Sequence, residues 1–201
     1  MPSRSQAVFA LSVLAIAFAI AAAAFYFTLG RNGPMTSGTA LVGGPFSLVD
    51  QNGRRVTEKD FLGKYMLVFF GFTHCPDVCP TELQVMSAAL DELGTAGNDI
   101  QPVFVSIDPE RDTPEVVKEY VKNFHPRLMG LTGSAGEIAT IARAYRVYYK
   151  KTASSGASGD YELDHSTTIY LMDPEGRFRK HFGYTTDAKG LAQGLREAMS
   201  N

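Results

Sequence analysis

The sequence predicts an α/β domain built as a three-layer sandwich of helices and a central sheet. From about residue 45 onward, apolar runs of strand length alternate with segments of helical periodicity, and the chain closes on a strand pair followed by a helix. Such alternation is typical of a largely parallel sheet with helices packed on its faces. Loops at the carboxyl ends of the strands are then the expected place for a functional site.

The first 29 residues form a segment of their own. No charged residue occurs between Ser5 and Gly30, and residues 7–29 are mainly apolar. As a helix this run would span roughly 30 Å, the thickness of a bilayer core, and it exceeds the roughly 7–15 apolar residues of a cleavable signal peptide. We interpret residues 1–29 as an N-terminal transmembrane helix, with a signal peptide as the alternative. If the N-terminus stays in the cytoplasm, a transmembrane helix and a signal peptide both place the domain in the periplasm or an equivalent extracytoplasmic space.

Residues 30–44 contain five glycines and a proline, a composition typical of a flexible linker. The folded domain is therefore predicted to span residues 45–201. The net charge is only −2, and no basic stripe with interleaved aromatic residues occurs. A nucleic-acid partner is excluded, because binding phosphates requires clustered cations.

The first half of the domain is predicted in the following order. A hairpin lies within residues 46–56, where Asn52 and Gly53 supply the positive φ angles of a tight turn. Residues 65–72 form an apolar run expected of a buried central strand, and residues 81–93 repeat apolar side chains with helical spacing. A second buried strand covers residues 101–107.

The second half begins with a helix that Pro114 opens at its first position and that continues to Phe124. A further helix is predicted at residues 135–145. The closing elements are a strand at residues 167–172, a turn at 173–176, a returning strand at 177–182 and a helix at 187–199.

The two cysteines, Cys75 and Cys79, lie between a predicted buried strand and the next helix. A structural disulfide would close a very short loop and stabilise little. A redox-active dithiol suits a helix N-terminus, which lowers thiol pKa values, although three residues rather than two separate these thiols. A metal site requires the two sulfurs to converge from one helical turn. Soft thiolates select Cu(I) or zinc, and a shell with fewer than four ligands favours copper over structural zinc.

Four histidines are candidates for a third ligand. His125, at a predicted helix end, and His181, on the closing strand pair, are interpreted as solvent-exposed residues. His74 directly precedes the first cysteine and is assigned a packing or hydrogen-bonding role. His165 follows a Gly/Ser-rich segment at residues 153–159, which we interpret as a flexible loop. From the residues alone, a structural role for His165 and a role as a metal ligand are equally open.

Three motifs occur in one order along the domain: GFTHCPDVCP at residues 71–80, SIDPERDTP at residues 106–114, and DHS at residues 164–166. Together they resemble the Sco/SenC family of copper-binding cytochrome c oxidase assembly proteins. The resemblance runs from about Pro45 to the C-terminus, and a single N-terminal membrane anchor also fits the family.

The resemblance implies a thioredoxin-like fold in which Cys75, Cys79 and His165 bind one copper ion per chain, as Cu(I) or Cu(II). It also implies a metallochaperone rather than an enzyme. Its partners would be cytochrome c oxidase subunit II, whose dinuclear copper centre it would help to assemble, and a copper-donating chaperone.

Polar residues around these motifs are candidates for supporting roles. The charged loop at residues 108–113 is interpreted as a docking element for a partner or as a source of contacts to the ligands. Its alternative is a polar loop in which Thr113 caps the next helix. Asp77 and Asp164 either orient the ligands or are simply solvated.

Two enzymatic functions are the alternatives. A thiol-disulfide reductase would use Cys75 and Cys79 to keep the oxidase subunit's cysteines, or those of other periplasmic proteins, reduced, and His165 would be dispensable. A peroxidase is the weaker alternative, because the Thr/Ser-x-x-Cys context of peroxiredoxins, which share the fold class, is not clearly reproduced.

Overall fold

The computed structural model describes residues 17–19, 42–153 and 161–200. The chain divides into two units, Met1–Ala40 and Leu41–Asn201. The predicted transmembrane helix at residues 1–29 and most of the linker at 30–44 lie outside the described residues, apart from a helical fragment at 17–19 and residues 42–44. In the part of the chain that is described, no helix combines the length and the apolar character needed to cross a bilayer.

A seven-stranded mixed sheet forms the core of the second unit. Its strand order is β2-β1-β5-β4-β3-β8-β9, with β3, β4 and β5 parallel and the remaining neighbours antiparallel. A separate two-stranded sheet pairs β6 with β7. The strands are β1 (Ser47–Asp50), β2 (Arg55–Thr57), β3 (Tyr65–Gly71), β4 (Ile100–Ser106), β5 (Met129–Thr132), β6 (Tyr149–Ala153), β7 (Tyr161–His165), β8 (Ile169–Met172) and β9 (Phe178–Phe182).

The helices of the second unit begin at residues suited to that position. Thr113 accepts a hydrogen bond from the first turn of α2, Ser134 forms a capping box with Glu137 in α3, and Asp187 caps α4. The helices are α1 (Val78–Leu93), α2 (Pro114–Val121), α3 (Ala135–Ala144) and α4 (Ala188–Met199), with 3-10 helices at Glu58–Phe61 and Gly94–Asp99.

Helices α1 and α2 pack on one face of the seven-stranded sheet. A Cβ atom at Gly71 would meet the sulfur of Cys79 in α1 and the ring of Phe104 in β4. Phe104 in turn contacts the ring of Tyr120 in α2, with 5.4 Å between ring centroids. Gly71 and Phe104 therefore point to the same face, and both helices cover it.

Helix α4 lies on this face as well, and α3 lies on the other. Phe182 of β9 lies opposite Ile169 of β8, which lies opposite Phe69 of β3, so the three side chains point to the same face. Phe182 packs against Gly194 of α4. Phe70, the neighbour of Phe69 along β3, points to the opposite face and packs on Tyr145, the C-cap of α3. The predicted three-layer sandwich is thereby confirmed.

Most predicted elements are confirmed, with boundaries shifted by a few residues. The N-terminal hairpin turns at Gly53, whose φ of 80° is the left-handed conformation that glycine adopts readily. The predicted positive φ at Asn52 is wrong. Strands β5, β6 and β7 were not predicted. The short sequence of β5 has no alternating pattern, and β6 and β7 are polar strands separated by the Gly/Ser-rich segment, of which residues 154–160 lie outside the described residues.

Candidate metal centre

The junction between β3 and α1 positions the two cysteines. Cys75 lies in the loop before Asp77, the N-cap of α1, and Cys79 is in the first helical turn. The expectation that both sulfurs project from one helical turn is therefore wrong. They meet because the loop folds back, so that the backbone N–H of Cys79 donates to the Cys75 sulfur at 3.4 Å.

A glycine makes room for the second sulfur. The side chain of Cys79 is fully buried between α1 and the sheet. A Cβ atom at Gly71 would lie 2.8 Å from the Cys79 sulfur and 3.1 Å from the rings of Phe69 and Phe104. Any larger residue at position 71 would therefore displace the sulfur or the rings. Gly71 was predicted only as the first residue of a motif. The feature that could have indicated its role is a glycine at the end of a strand whose other residues are bulky and apolar.

His165 is the last residue of β7 and reaches the dithiol from the separate two-stranded sheet. Its Nε2 atom lies 3.5 Å from the Cys79 sulfur. Its Nδ1 atom lies 2.9 Å from the carbonyl oxygen of Ser166. A carbonyl can only accept a hydrogen bond, so Nδ1 carries a hydrogen, and Nε2 is the ring nitrogen that faces the sulfur. The ring edges pack against Phe69 and Phe72.

The spacing of these atoms suits a shared ion. Sulfur and imidazole ligands bind metals such as zinc at about 2.3 and 2.0 Å, which places the two ligand atoms about 3.5–3.8 Å apart. The observed separation between Cys79 and His165 is 3.5 Å. Within the described residues, no group of three or more His, Cys, Asp and Glu side chains is placed so that it could hold a metal ion. The structure thus brings the three predicted residues together without forming a complete ligand shell.

The two free thiols have different electrostatic environments. The pKa of the half-buried Cys75 thiol is lowered to about 3, chiefly by the hydrogen bond from the Cys79 side chain and further by His165 and by backbone N–H groups at the start of α1. The pKa of Cys79 is raised by that same hydrogen bond to Cys75 and by burial. Cys75 is therefore the thiolate of the pair, and Cys79 keeps its proton.

The other three histidines have no contact with the sulfurs among the hydrogen bonds described. The Nδ1 atom of His74 is 3.1 Å from the hydroxyl of Thr73, in agreement with its predicted hydrogen-bonding role. His181 is exposed on β9 and stacks on Phe178, as expected for that strand. The assignment of His125 as solvent-exposed is wrong. Its side chain is only 9% exposed, because its ring accepts the backbone N–H of Arg127 and packs near α1.

The two acidic residues beside the ligands have different positions. Asp77 acts through its backbone N–H, which helps to lower the pKa of Cys75, while its side chain makes no cap hydrogen bond. Asp164 is exposed on β7, opposite Lys150 of β6. Of the two roles predicted for Asp164, its exposure favours a solvated side chain over one that orients a ligand.

The charged loop at residues 108–113 buries its two aspartates, while Glu110 and Thr113 are exposed. Asp108 is 1% exposed and Asp112 is fully buried. Their carboxylates accept hydrogen bonds from residues next to the site, Thr73 and Tyr161. Contact with the ligand-bearing segments is therefore observed, and a docking role for the exposed part of the loop stays a prediction. Tyr161 was missed because nothing in its local sequence links it to a loop about fifty residues earlier.

Comparison with known proteins gives consistent matches over the domain. The SCO1/SenC family model matches residues 34–200. The protein SCO1 homolog 1, mitochondrial, of Arabidopsis thaliana is 52% identical over 166 residues, which cover 82% of this chain but 49% of that relative. The chain thus spans about half the length of this relative.

Solved structures show the same fold. The crystal structure of Arabidopsis thaliana ScoI with copper bound has a TM-score of 0.75 at 51% identity, covering 79% of this chain and 98% of that one. The structure of Bradyrhizobium japonicum ScoI with copper bound has a TM-score of 0.71 at 46% identity, covering 78% and 99%. The mixed α/β, thioredoxin-like architecture implied by the sequence motifs is confirmed by these matches. From the family-model match and these identities, the chain belongs to the SCO1/SenC family.

Proposed function

We propose that the chain is a copper metallochaperone that holds one copper ion, as cargo, between Cys75, Cys79 and His165. The observation that carries the proposal is the 3.5 Å approach of the His165 Nε2 atom to the Cys79 sulfur, between residues 86 positions apart in the chain. Family members from Arabidopsis thaliana and Bradyrhizobium japonicum have been solved with copper bound, which supports the choice of metal.

The chemistry of the three side chains suits transfer as well as binding. Two thiol sulfurs and one imidazole form a soft ligand set, which favours Cu(I), and Cu(I) is stable with two or three ligands. Cys75 is partly exposed whereas Cys79 is buried. An acceptor can therefore replace Cys75 first while Cys79 and His165 still hold the ion, so that the metal is exchanged ligand by ligand without being released to water.

We further propose the place of this chemistry in the cell. The acceptor is the dinuclear copper centre of cytochrome c oxidase subunit II, and a copper-donating chaperone supplies the ion. The domain acts in the periplasm or an equivalent extracytoplasmic space, held to the membrane by residues 1–29. Family membership and the long apolar run at the N-terminus support this assignment.

Copper titration of the reduced full chain tests the binding proposal. We expect one copper ion per chain to be retained after desalting, with a sulfur-to-copper charge-transfer band in the Cu(II) form. Oxidising the two thiols to a disulfide before the titration should remove the binding, because a disulfide sulfur has lost the charge that makes a thiolate a ligand. Retention of copper by the disulfide form, or no retention by the reduced chain, would contradict the proposed site.

A second candidate function, thiol-disulfide reduction, is favoured by the unequal thiols. The Cys75 thiolate would attack a substrate disulfide, forming a mixed disulfide and releasing one substrate thiolate. Cys79, after losing its proton, would then attack the Cys75 sulfur and release the second substrate thiolate. The product is an oxidised Cys75–Cys79 pair, which an external thiol reductant must regenerate.

The lowered pKa of Cys75 gives this candidate a test. Below pH 7 an ordinary thiol, with a pKa of about 8.5, is almost entirely protonated, whereas Cys75 with its lowered pKa remains a thiolate. We expect iodoacetamide to alkylate Cys75 at pH 5–6 with copper chelated, and Cys79 to react far more slowly, as read by peptide mass mapping. If the metal-free protein reduces disulfides with turnover that is unchanged in His165→Ala, reduction rather than copper delivery is the main function.

A further inference from the structure

The turn that follows β4 buries two carboxylates at a fixed spacing. The backbone N–H groups of Arg111 and Asp112 both donate to the carbonyl oxygen of Asp108, at 3.2 and 2.9 Å, which closes the turn. Asp108 is 1% exposed and Asp112 is fully buried. Burying a carboxylate is unfavourable unless its oxygens accept hydrogen bonds, so the partners of these two groups indicate what the turn holds in place.

Asp112 holds the loop that carries the cysteines. One carboxylate oxygen accepts the backbone N–H of Thr73 at 3.0 Å and the hydroxyl of Ser106 at 2.6 Å. The other accepts the hydroxyl of Thr73 at 2.6 Å. Thr73 precedes Cys75 by two residues, so Asp112 joins the start of the cysteine loop to the end of β4.

Asp108 holds the strand that carries the histidine. One of its oxygens accepts the hydroxyl of Tyr161, and the other accepts the Nε–H of Arg111. The Arg111 guanidinium lies over the Tyr161 ring at 3.9 Å and donates to the Tyr161 carbonyl oxygen at 3.0 Å. Tyr161 is the first residue of β7 and His165 is the last, so this contact fixes the start of the strand whose end reaches the sulfurs.

Strand β7 needs such a contact because its backbone hydrogen bonds do not connect it to the seven-stranded sheet. In the described residues, β6 and β7 pair with each other and form a sheet separate from the seven-stranded one. A lone two-stranded hairpin is only marginally stable in water. Its position over the dithiol therefore depends on side-chain contacts with the core, and those of Asp108 and Arg111 are among them.

We propose that the turn at residues 108–112 is the positioning element of the copper site, in which Asp112 sets the place of the cysteine loop through Thr73 and Asp108 sets the place of the histidine strand through Tyr161. The two halves of the site come from distant parts of the chain, and one rigid turn controls the distance between them. This proposal rests on the proposed copper function. It assigns no metal contact to the turn, whose residues act through Thr73 and Tyr161.

Two substitutions that each delete one hydroxyl group test the proposal in the full chain. Tyr161→Phe removes the bond to Asp108 and keeps the ring under Arg111. Thr73→Val removes the hydroxyl bond to Asp112 and keeps the volume and the backbone N–H. Thr73→Ser restores that hydroxyl, and Tyr184→Phe, at an exposed tyrosine, is the matched control.

We expect Tyr161→Phe and Thr73→Val each to weaken copper binding by up to about 10-fold, less than the loss of a group bonded directly to a ligand, because each hydroxyl acts on its ligand through the backbone. Affinity is measured by competition with a chelator of known strength. The sulfur-to-copper absorption band should shift in both variants, and the loss of copper affinity should exceed what the lowered unfolding midpoint of the metal-free protein accounts for. Thr73→Ser and Tyr184→Phe should bind copper like the wild type.

The outcomes separate this proposal from the proposed function. If the wild type binds copper and both variants keep its affinity and its spectrum, the positioning role is overturned and the metallochaperone proposal stands. If the affinity falls only in proportion to a loss of metal-free stability, the turn is structural and the proposal is likewise overturned. If the wild type retains no copper in the same titration, both proposals fail together.

Discussion

Cys79→Ser is expected to weaken copper binding by more than 100-fold. Serine has nearly the size of cysteine and also carries one hydrogen-bond donor, so the packing between α1 and the sheet is kept. Its hydroxyl is a hard, neutral group that a soft Cu(I) ion does not favour. Loss of an outer contact alone costs about 10–100-fold in metal affinity, and loss of a ligand should exceed that. Chelator competition against the reduced wild type measures the effect.

Two further measurements show whether the loss is specific to the site. The metal-free Cys79→Ser variant should unfold at a temperature close to that of the wild type. Its Cys75 should still be alkylated, because the serine hydroxyl and the backbone N–H groups at the start of α1 can donate hydrogen bonds to the Cys75 sulfur. Wild-type copper affinity in a correctly folded variant would remove Cys79 from the ligand set.

His165→Ala is expected to reduce Cu(II) binding by at least as large a factor and to change the absorption spectrum of the Cu(II) complex. The imidazole is the only nitrogen ligand proposed, and Cu(II) depends on it more than Cu(I), which two sulfurs can hold alone. The side chain lies at the end of β7, so its loss removes packing against Phe69 and Phe72 and the hydrogen bond to the carbonyl oxygen of Ser166, and leaves the pairing of β6 with β7 in place. Titration with Cu(II) and with Cu(I) should separate the two oxidation states.

His181→Ala is the matched control for this substitution. His181 is exposed on β9 and stacks on Phe178, so its removal tests the general effect of deleting an imidazole. Copper affinity and spectrum should be unchanged. Full Cu(II) affinity and an unaltered spectrum in His165→Ala would show that the third ligand is not this histidine.

Much of the architecture could be predicted from local patterns. The apolar run of β3 and the regular spacing of α1 report burial directly, because an element that is covered by its neighbours must be apolar where it is covered. Pro114 and Asn52-Gly53 mark a helix start and a turn through their own backbone preferences. Strand β5 carries no such signal, since Gly130 is present only because Val117 of α2 packs directly against its backbone.

The candidate site shows the same division. Cys75 and Cys79 could be predicted as a functional pair from their spacing and their place after a buried strand, although the two lie on a loop and a helix rather than on one helical turn. His165 was singled out by a family resemblance and not by its neighbours.

The sequence by itself therefore determined the alternation of strands and helices, the paired thiols and the family to which the chain belongs, since each is written in residues close together or in recognisable motifs. Only the tertiary structure decided that Cys75 is the thiolate, that Gly71 makes room for Cys79, and that Asp108 and Asp112 lie buried beneath the two halves of the site. The two aspartates make contacts with segments about forty to fifty residues away. Cys75 and Gly71 meet Cys79 within one stretch of chain, but only the way the loop folds back brings them together. The energy of a buried charge or a shared hydrogen bond depends on which groups surround it, and no local pattern of residues records its surroundings.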